Sequence, residues 1–206
     1  MIGIIDYGVG NLFSLRSSFA AIGVEVFVSG EERELLRADK LILPGVGAFG
    51  DAAEKLRATG LDGFLRRQAE KGVPVLGICL GMQLLFEKSF EYGEHPGLGL
   101  LKGTVVSMKD RLPAGLKIPH MGWNQLHITQ PDSRLLRRVK DGEFVYFVHS
   151  FYVEGCEDSL AAATEYGIPI TAAVEQRNIY GCQFHPEKSG SVGLAILRGF
   201  CEAEEE

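Results

Sequence analysis

The sequence lacks several features that would place it in a specialised class of protein. It has no apolar run near the roughly 20 residues that a membrane-spanning helix needs. Its first residues lack the basic start and long apolar stretch of a secretory signal. Only four cysteines occur in 206 residues and none forms a CxxC pair, so no disulfide framework is expected. These absences predict a soluble chain of the reducing cytoplasm.

An excess of basic charge is also missing. There are 21 Lys and Arg residues against 27 Asp and Glu residues, which gives a net charge of −6. This balance argues against a chain whose main role is to bind nucleic acid or an anionic membrane. Hydrophobic residues at 46% and charged residues at 23% are typical of globular proteins. We therefore expect residues 1–206 to form a single domain with a substantial core.

Strand-like and helix-like segments alternate through the first half of the chain. Apolar runs predict strands at residues 2–6, 24–28, 40–43 and 73–78. Helical periodicity predicts helices at about residues 11–22, 51–57, 61–71 and 80–87. This alternation is typical of a mainly parallel sheet with helices on both faces, which is a three-layer α/β fold.

The second half of the chain has a different pattern. Short β-type runs follow one another at residues 101–108, 125–129, 144–149, 161–165, 170–175 and 179–184. We expect these runs to extend the sheet with antiparallel strands, closed by a helix at about residues 190–201. Residues 202–206 form an acidic tail, which is predicted to be a solubilising end.

A cysteine lies between two glycines where a buried strand leads into a helix. Gly77, Cys79 and Gly81 fit the G-x-nucleophile-x-G elbow, with cysteine in place of serine. The sharp turn strains the backbone of the nucleophile, and the helix N terminus favours a thiolate. A buried structural cysteine is the alternative, but the elbow context favours a nucleophile.

A nucleophilic thiol needs a base, and that base needs a group to orient it. His185 and Glu187 flank Pro186, and residues two apart in an extended segment project to the same side. Glu187 is therefore expected to reach Nδ1 of His185 and to turn the other ring nitrogen toward the thiol. The tripeptide alone is a weak signal, and it gains weight only with the elbow.

Residues 45–50 carry a competing motif. Gly45, Gly47 and Gly50 match G-x-G-x-x-G between a strand and a helix, as in dinucleotide-binding proteins. Pro44 interrupts the strand-to-loop junction, and no acidic residue ends the following strand. The favoured interpretation is a loop that donates a backbone N–H to an oxyanion, because loops after neighbouring parallel strands meet at one sheet edge.

Metal binding is a third possibility that the spacing does not favour. Cys182 and His185 have C-x-x-H spacing, but no second pair completes a site. Cys182 alternates with apolar residues and is predicted to be core. The remaining histidines show no ligand spacing: His95, His120, His127 and His149.

The sequence GICLGMQ at residues 77–83, together with HPEKS at residues 185–189, resembles the class I glutamine amidotransferases over essentially the whole chain. Three further segments resemble one branch of that family, the glutaminase subunits of imidazole glycerol phosphate synthase. These segments are DYGVGNL at 6–12, PHMGWN at 119–124 and YFVHSFY at 146–152. No position that matters departs from the pattern.

The resemblance implies the family's α/β fold and an enzyme of histidine biosynthesis that hydrolyses glutamine to glutamate and ammonia without a cofactor. The ammonia would pass through a tunnel to a separate (β/α)₈-barrel cyclase subunit. That subunit would convert a phosphorylated ribulosyl aminoimidazole carboxamide intermediate to imidazole glycerol phosphate and a purine precursor, AICAR. We expect a second polypeptide as partner, because 206 residues leave no room for the barrel.

The resemblance also implies roles for individual residues. Cys79 would attack the amide carbonyl, His185 would carry the proton to the departing ammonia, and Glu187 would orient His185. The oxyanion would be held by backbone N–H groups of Leu80 and, after rearrangement of a loop that includes Gly47, of Val46. Substrate contacts are expected from Gln83, Ser150 and Phe151. Gln83 lies one helical turn after Cys79, and a merely solvated side chain remains the alternative for it.

For the partner face the family points to four residues: Asn11, Trp123, Tyr146 and Lys188. Trp123 is the sole tryptophan, and it is either an interface anchor or a buried core residue. Two other functions stay open. One is a glutaminase that serves another synthase, of the anthranilate or guanylate type, and the other is a non-catalytic dinucleotide-binding module.

Overall fold

The computed structural model describes residues 1–203 and leaves aside the side chain of Asp110. Most of the predicted acidic tail, residues 204–206, lies outside this range. The strands are β1 (Ile2–Ile5), β2 (Val26–Ser29), β3 (Lys40–Leu43), β4 (Val75–Ile78), β5 (Lys88–Ser89), β6 (His95–Pro96), β7 (Thr104–Ser107), β8 (His120–Gln125), β9 (His127–Ile128), β10 (Phe144–His149), β11 (Phe151–Glu154), β12 (Leu160–Glu165), β13 (Pro169–Gln176) and β14 (Ile179–Cys182). The helices are α1 (Leu12–Ala21), α2 (Glu32–Leu35), α3 (Phe49–Ala58), α4 (Leu61–Glu70), α5 (Leu80–Leu84) and α6 (Gly190–Glu202). Short 3₁₀ turns occur at Met108–Asp110, Glu157–Ser159 and Pro186–Lys188.

The main sheet has eight strands in the order β2-β1-β3-β4-β14-β13-β12-β9. The pairs from β2 through β14 are parallel, and the pairs from β14 through β9 are antiparallel. β14 is therefore the junction, parallel to β4 on one side and antiparallel to β13 on the other. The predicted mainly parallel sheet with an antiparallel extension is confirmed.

Two of the runs that were expected to extend this sheet lie elsewhere, so that part of the prediction is wrong. The run at 101–108 contains β7, which belongs to a separate four-stranded sheet in the order β11-β7-β5-β6. The run at 144–149 is β10, which forms a separate two-stranded sheet with β8. The run at 125–129 is divided between β8 and β9. Alternation of apolar residues identifies a strand but does not specify which strand it pairs with.

Helices cover both faces of the main sheet. Phe19 of α1 and Leu197 of α6 pack in one buried cluster, while Phe49 of α3 and Phe64 of α4 pack in the other. β3 shows how one strand serves both layers, because Leu41 and Leu43 lie in one cluster and Ile42 in the other. The predicted three-layer arrangement is confirmed.

Local signals fix several helix ends. The Asn11 side chain accepts a hydrogen bond from the backbone N–H of Ser14, which caps α1 as predicted. α5 contains five residues and is shorter than the predicted helix at 80–87. Within residues 1–203, none of these helices has the length and apolar character to cross a membrane.

The carboxyl ends of β3, β4 and β14 bring three chain segments to one edge of the sheet. These strands are neighbours in the order β3-β4-β14. The segments that follow them are the loop at 44–47, the elbow at Cys79 and the turn that carries His185 and Glu187. This is the edge where open parallel sheets bind ligands.

Candidate active site

Cys79 lies in the predicted elbow between β4 and α5. Its φ of 55° and ψ of −112° place a non-glycine residue in a strained region of backbone space. A Cβ atom on Gly81 would lie 1.8 Å from the carbonyl oxygen of Leu43, and one on Gly77 would lie 2.6 Å from that of Gly81. Only glycine fits at these two positions, which is why the elbow needs them.

His185 and Glu187 form a buried pair that interacts with Cys79. Nδ1 of His185 lies 2.8 Å from Oε1 of Glu187, and both side chains are 4% exposed. The expected contact is therefore confirmed, although Glu187 lies in a 3₁₀ turn at Pro186–Lys188 and not in an extended segment. The hydroxyl of Ser189 donates to the carbonyl of His185 at 2.7 Å and so fixes the base of this turn.

The charge of His185 follows from its two neighbours. Burial alone would lower the pKa of His185, but hydrogen bonds and charge interactions with Cys79 and Glu187 outweigh burial and raise the pKa to about 9. His185 is therefore protonated near pH 7 when Cys79 is a thiolate. A protonated His185 beside Cys79 is placed to donate its proton, and a thiolate is the form in which a cysteine acts as a nucleophile.

Cys79 and His185 open onto a cavity of about 390 Å³, and Glu187 contacts His185 from outside the cavity lining. The size of the cavity suits a small metabolite, and its lining mixes apolar residues with polar ones. The structure places these sequence-predicted residues around it: Val46, Gly47, Cys79, Leu80, Gln83, Ser150, Phe151, His185 and Lys188.

Comparison with known proteins gives a consistent result. The family model "Glutamine amidotransferase class-I" matches residues 3–203. Three relatives carry the name "Imidazole glycerol phosphate synthase subunit HisH". The protein from Bacillus velezensis is 54% identical, covering 97% of this chain and 95% of its own. That from Aquifex aeolicus is 51% identical over 96% and 94%, and that from Bacillus subtilis is 50% identical over 97% and 95%.

The chain belongs to the class I glutamine amidotransferases. Solved structures agree on the fold. A protein described as a glutamine amidotransferase superposes with a TM-score of 0.76 at 20% identity, covering 98% of this chain and 97% of that one. A putative GMP synthase subunit from Thermoplasma acidophilum gives 0.69 at 21% identity, covering 97% and 90%.

Gln83 occupies a buried position in this amidotransferase. Its side chain is 5% exposed, so the alternative of a solvated helix face is wrong. Its amide nitrogen donates to the carbonyl of Phe151 at 3.0 Å and to Oε1 of Gln183 at 2.9 Å. Gln83 therefore links α5 to the opposite wall of the cavity.

The loop at 44–47 packs directly on the elbow. A Cβ atom on Gly45 would lie 2.7 Å from the backbone nitrogen of Gly81, so only glycine allows this approach. The hydroxyl of Tyr7 donates to the carbonyl of Pro44 at 2.7 Å and fixes one end of the loop. Val46 is 43% exposed and Gly47 has a φ of 97°, so the far end is freer and has a conformation that suits glycine.

A carboxylate occupies the helix end that a dinucleotide would need. In dinucleotide-binding proteins the pyrophosphate binds at the N terminus of the helix after the glycine motif. Here the N–H of Phe49, the first residue of α3, donates to Oε2 of Glu91 at 2.7 Å. A buried carboxylate at the N terminus of α3 repels a pyrophosphate, so the structure disfavours the dinucleotide interpretation.

Cys182 has a structural position. It is fully buried, its carbonyl accepts the N–H of Cys79 at 2.7 Å, and burial raises the pKa of its thiol. Among residues 1–203, no group of three or more His, Cys, Asp or Glu side chains is arranged to hold a metal ion. Cys182 is therefore a core residue, three positions before the cavity residue His185.

Three of the four partner-face candidates form a stack. Trp123 is 55% exposed, so its alternative as a core residue is wrong. The Trp123 and Tyr146 rings meet edge to face with centroids 6.0 Å apart, and Nζ of Lys188 lies 5.9 Å from the Tyr146 centroid. Asn11 is exposed at the N terminus of α1.

Sequence reasoning missed three polar side chains of the site. Gln183 is fully buried, and its amide nitrogen lies 3.8 Å from Sγ of Cys79. Glu91 and His149 line the cavity. Gln183 lies two residues before His185 and could have been found from that spacing. Glu91 and His149 carry no local motif, and only the pairing of distant segments brings them to the cavity.

Proposed function

We propose that this chain is a glutaminase that hydrolyses the side-chain amide of glutamine through Cys79, His185 and Glu187. The observation that carries this proposal is the cavity lined by Cys79 and His185, with Glu187 in contact with His185 and the pKa of His185 raised to about 9. The cavity lies at the ligand-binding edge of the sheet, and the glutamine amidotransferase family model covers nearly the whole chain.

The chemistry follows from this arrangement. The thiolate of Cys79 attacks the amide carbonyl carbon, and a C–S bond forms as the carbonyl electrons move onto oxygen. His185 gives its proton to the nitrogen, the oxyanion electrons re-form the C=O bond as the C–N bond breaks, and ammonia departs to leave a thioester on Cys79. Water, deprotonated by His185, then releases glutamate and restores the thiolate. Glu187 keeps the imidazole in position and balances its charge.

The developing oxyanion requires backbone donors. Leu80 is the first residue of α5, and its N–H lacks an intrahelical partner. The second donor in this proposal is the N–H of Val46, supplied by the loop at 44–47. Each such donor contributes about 3 to 4 kcal/mol in the transition state.

The ammonia is proposed to reach a separate cyclase subunit, a (β/α)₈ barrel that forms imidazole glycerol phosphate and AICAR in histidine biosynthesis. The name shared by the relatives supports this place in metabolism. The exposed Met121 and Trp123, 63% and 55% accessible, supply an apolar face for such a partner. We place the heterodimer in the cytoplasm, where thiols stay reduced.

Partner binding is proposed to switch the glutaminase on through the loop at 44–47. Gly45 and Gly47 flank Val46, and glycine allows a peptide to reorient at modest cost. In the resting chain the Val46 N–H would point away from the oxyanion, and the bound partner would turn it inward.

The test is selective labelling of the native chain at neutral pH with an electrophilic glutamine analogue. Peptide mapping should find the adduct on Cys79, and glutamate should form when the cyclase and its ligand are added. An adduct on Cys156, Cys182 or Cys201 would exclude the proposed nucleophile. Saturable binding of a nicotinamide cofactor would instead support the dinucleotide interpretation.

A further inference from the structure

Two buried histidines form a hydrogen-bonded pair at the cavity wall. His149 ends β10 and His120 begins β8, and the antiparallel register places them opposite each other. Nδ1 of His120 lies 2.9 Å from Nε2 of His149. The His120 ring stacks against Phe147 and Tyr166, with centroids 4.7 and 4.2 Å away. The proposed hydrolysis assigns neither histidine a role.

The surroundings of the pair fix its protons. Nδ1 of His149 lies 2.8 Å from the carbonyl oxygen of Phe151. Because a carbonyl only accepts, Nδ1 of His149 carries the proton. Nε2 of a neutral His149 then accepts from Nδ1 of His120. Nε2 of His120 accepts in turn from the side-chain amide of Asn124, at 3.2 Å. One set of tautomers therefore satisfies every contact from Asn124 to Phe151.

Both rings must be neutral for this chain to exist, because a protonated imidazole has no acceptor nitrogen. Burial lowers the pKa of His149 to about 3 and that of His120 to about 4. Both histidines are therefore neutral near pH 7.

The carbonyl at the end of the chain is fully occupied. It accepts from Nδ1 of His149 at 2.8 Å and from Nε2 of Gln83 at 3.0 Å. A carbonyl oxygen has two lone pairs, so none is left for a ligand. The Phe151 carbonyl is therefore an anchor for the backbone at 148–151, which forms one wall of the cavity.

We propose that His149 is a positioning residue for the amino-acid end of the substrate. With Gln83 it fixes the Phe151 carbonyl, and thereby the main chain of Ser150 and Phe151, while His120 acts through His149 by holding its tautomer. This inference rests on the proposed function, in which glutamine occupies the cavity. If a wall contacts the substrate and the transition state equally, a substitution that disturbs the wall raises KM more than it lowers kcat.

The test is steady-state glutamine hydrolysis by the complex with the cyclase. His149→Ala removes the donor and should raise KM about tenfold, the size of one lost hydrogen bond, with kcat nearly unchanged. His149→Asn places an amide N–H near the position of Nδ1 and should restore most of the native KM. His120→Phe keeps the stacking but removes its donor, and should raise KM about threefold. His127→Ala, at an exposed histidine of β9, is the matched control and should match the native enzyme.

Three kinetic results would overturn the inference: an unchanged KM in His149→Ala, a loss confined to kcat, or His149→Asn as impaired as His149→Ala. Should His149→Ala fail to fold, ring ¹⁵N signals of the native protein at pH 7 decide instead. His149 is expected to be protonated at Nδ1 alone, and the opposite tautomer or a charged ring contradicts the inference. Absence of glutamine hydrolysis by the native complex would count against the proposed function, and the ring signals do not depend on it.

Discussion

His185 and His149 line the same cavity and are 3% and 6% exposed, yet their pKa values move in opposite directions. Burial lowers the pKa of His149 to about 3. The same effect acts on His185, but contacts with Cys79 and Glu187 outweigh it and raise the pKa to about 9. His149 instead faces the Phe151 carbonyl and His120. The nearest partners, anionic or neutral, decide which histidine can carry a proton.

The two histidines also differ in how they are supported. His185 depends on segments that follow adjacent strands of the main sheet, β4 and β14. His149 depends on the separate two-stranded sheet of β8 and β10. One region therefore performs the proposed proton transfers, and the other shapes the wall.

Removal of the Cys79 thiol should have the largest effect, because it changes His185 and leaves His149 as it is. Cys79→Ala should lower glutamine hydrolysis by at least about 10⁴-fold, because the nucleophile is lost. The pKa of His185 should fall toward that of an ordinary histidine, while His149 stays neutral. Glutamate release and ring ¹⁵N titration measure the two effects.

The control for this variant is Cys201→Ala, since Cys201 lies in α6 away from the cavity and its thiol pKa is raised to about 11 by burial. It should keep native activity. Complexes that contain Cys79→Ala should still form imidazole glycerol phosphate from added ammonia. Failure with ammonia would mean that the substitution damages more than the nucleophile.

Removing the carboxylate has the next largest effect. Glu187→Gln should lower kcat by about 10² to 10⁴-fold, which is less than the loss in His185→Ala. Glu187 bonds to the imidazole and not to substrate, so the pKa of His185 should also fall. A loss equal to that of His185→Ala would assign Glu187 a direct part in the chemistry.

The sequence predicted the His185 side of this comparison well. Gly77 and Gly81 are local signals because the elbow backbone leaves no room for a Cβ atom there. The contact of His185 with Glu187 was also predicted from a local spacing, although the backbone forms a 3₁₀ turn and not the expected extended segment. The parallel core was equally predictable from the alternation of strands and helices.

The His149 side was not predictable in the same way. His120 and His149 are 29 residues apart and meet only because β8 pairs with β10. The strand pattern of 144–149 was recognised, but its assignment to the main sheet was wrong. Pairing between distant strands depends on tertiary packing, which a single sequence does not display.

A third prediction concerns the loop at 44–47 and leaves both histidines intact, because it compares the native chain with and without its partner. The isolated chain should hydrolyse glutamine about 10² to 10³-fold more slowly than the complex with cyclase and its ligand, the value of one oxyanion donor. The gain should lie mainly in kcat, and the pKa of His185 should change little. Full turnover by the isolated chain, unaltered by the cyclase, would contradict the proposed switch.

The two histidines should change the pH dependence of the folding stability in opposite directions. His149 has a folded pKa of about 3, below its unfolded value, so its contribution is present above about pH 6.5 and is lost as the pH falls toward 3. His185 has a folded pKa of about 9, so its contribution is present below about pH 6.5 and is lost as the pH rises through 9.

Urea unfolding at pH 7 and pH 5 tests the expected loss of the His149 contribution in acid. The unfolding free energy of the native protein should fall by about 2 kcal/mol more than that of His149→Asn between pH 7 and pH 5, because Asn takes up no proton on unfolding. Between pH 6.5 and 9, the native protein should instead lose more stability than His185→Asn. Equal acid losses in the native protein and His149→Asn would show that His149 is not buried in its neutral form.

The smallest effect is expected on the outer face of β8, the strand whose inner face carries His120. Trp123 is 55% exposed and Tyr146 touches it edge to face, so Trp123→Ala should change the unfolding free energy of the isolated chain by no more than about 0.5 kcal/mol. The buried neighbour Phe147 supplies the contrast, since Phe147→Ala should cost about 3 to 5 kcal/mol. The ring signals of His120 and His149 should stay unchanged in Trp123→Ala, because the side chains of one strand alternate between its faces.

The affinity of Trp123→Ala for the cyclase should nevertheless fall about tenfold or more, as for an aromatic anchor at an interface. Urea unfolding and calorimetric titration measure these quantities, and a large loss of stability with unchanged affinity would assign Trp123 to the fold and not to the partner.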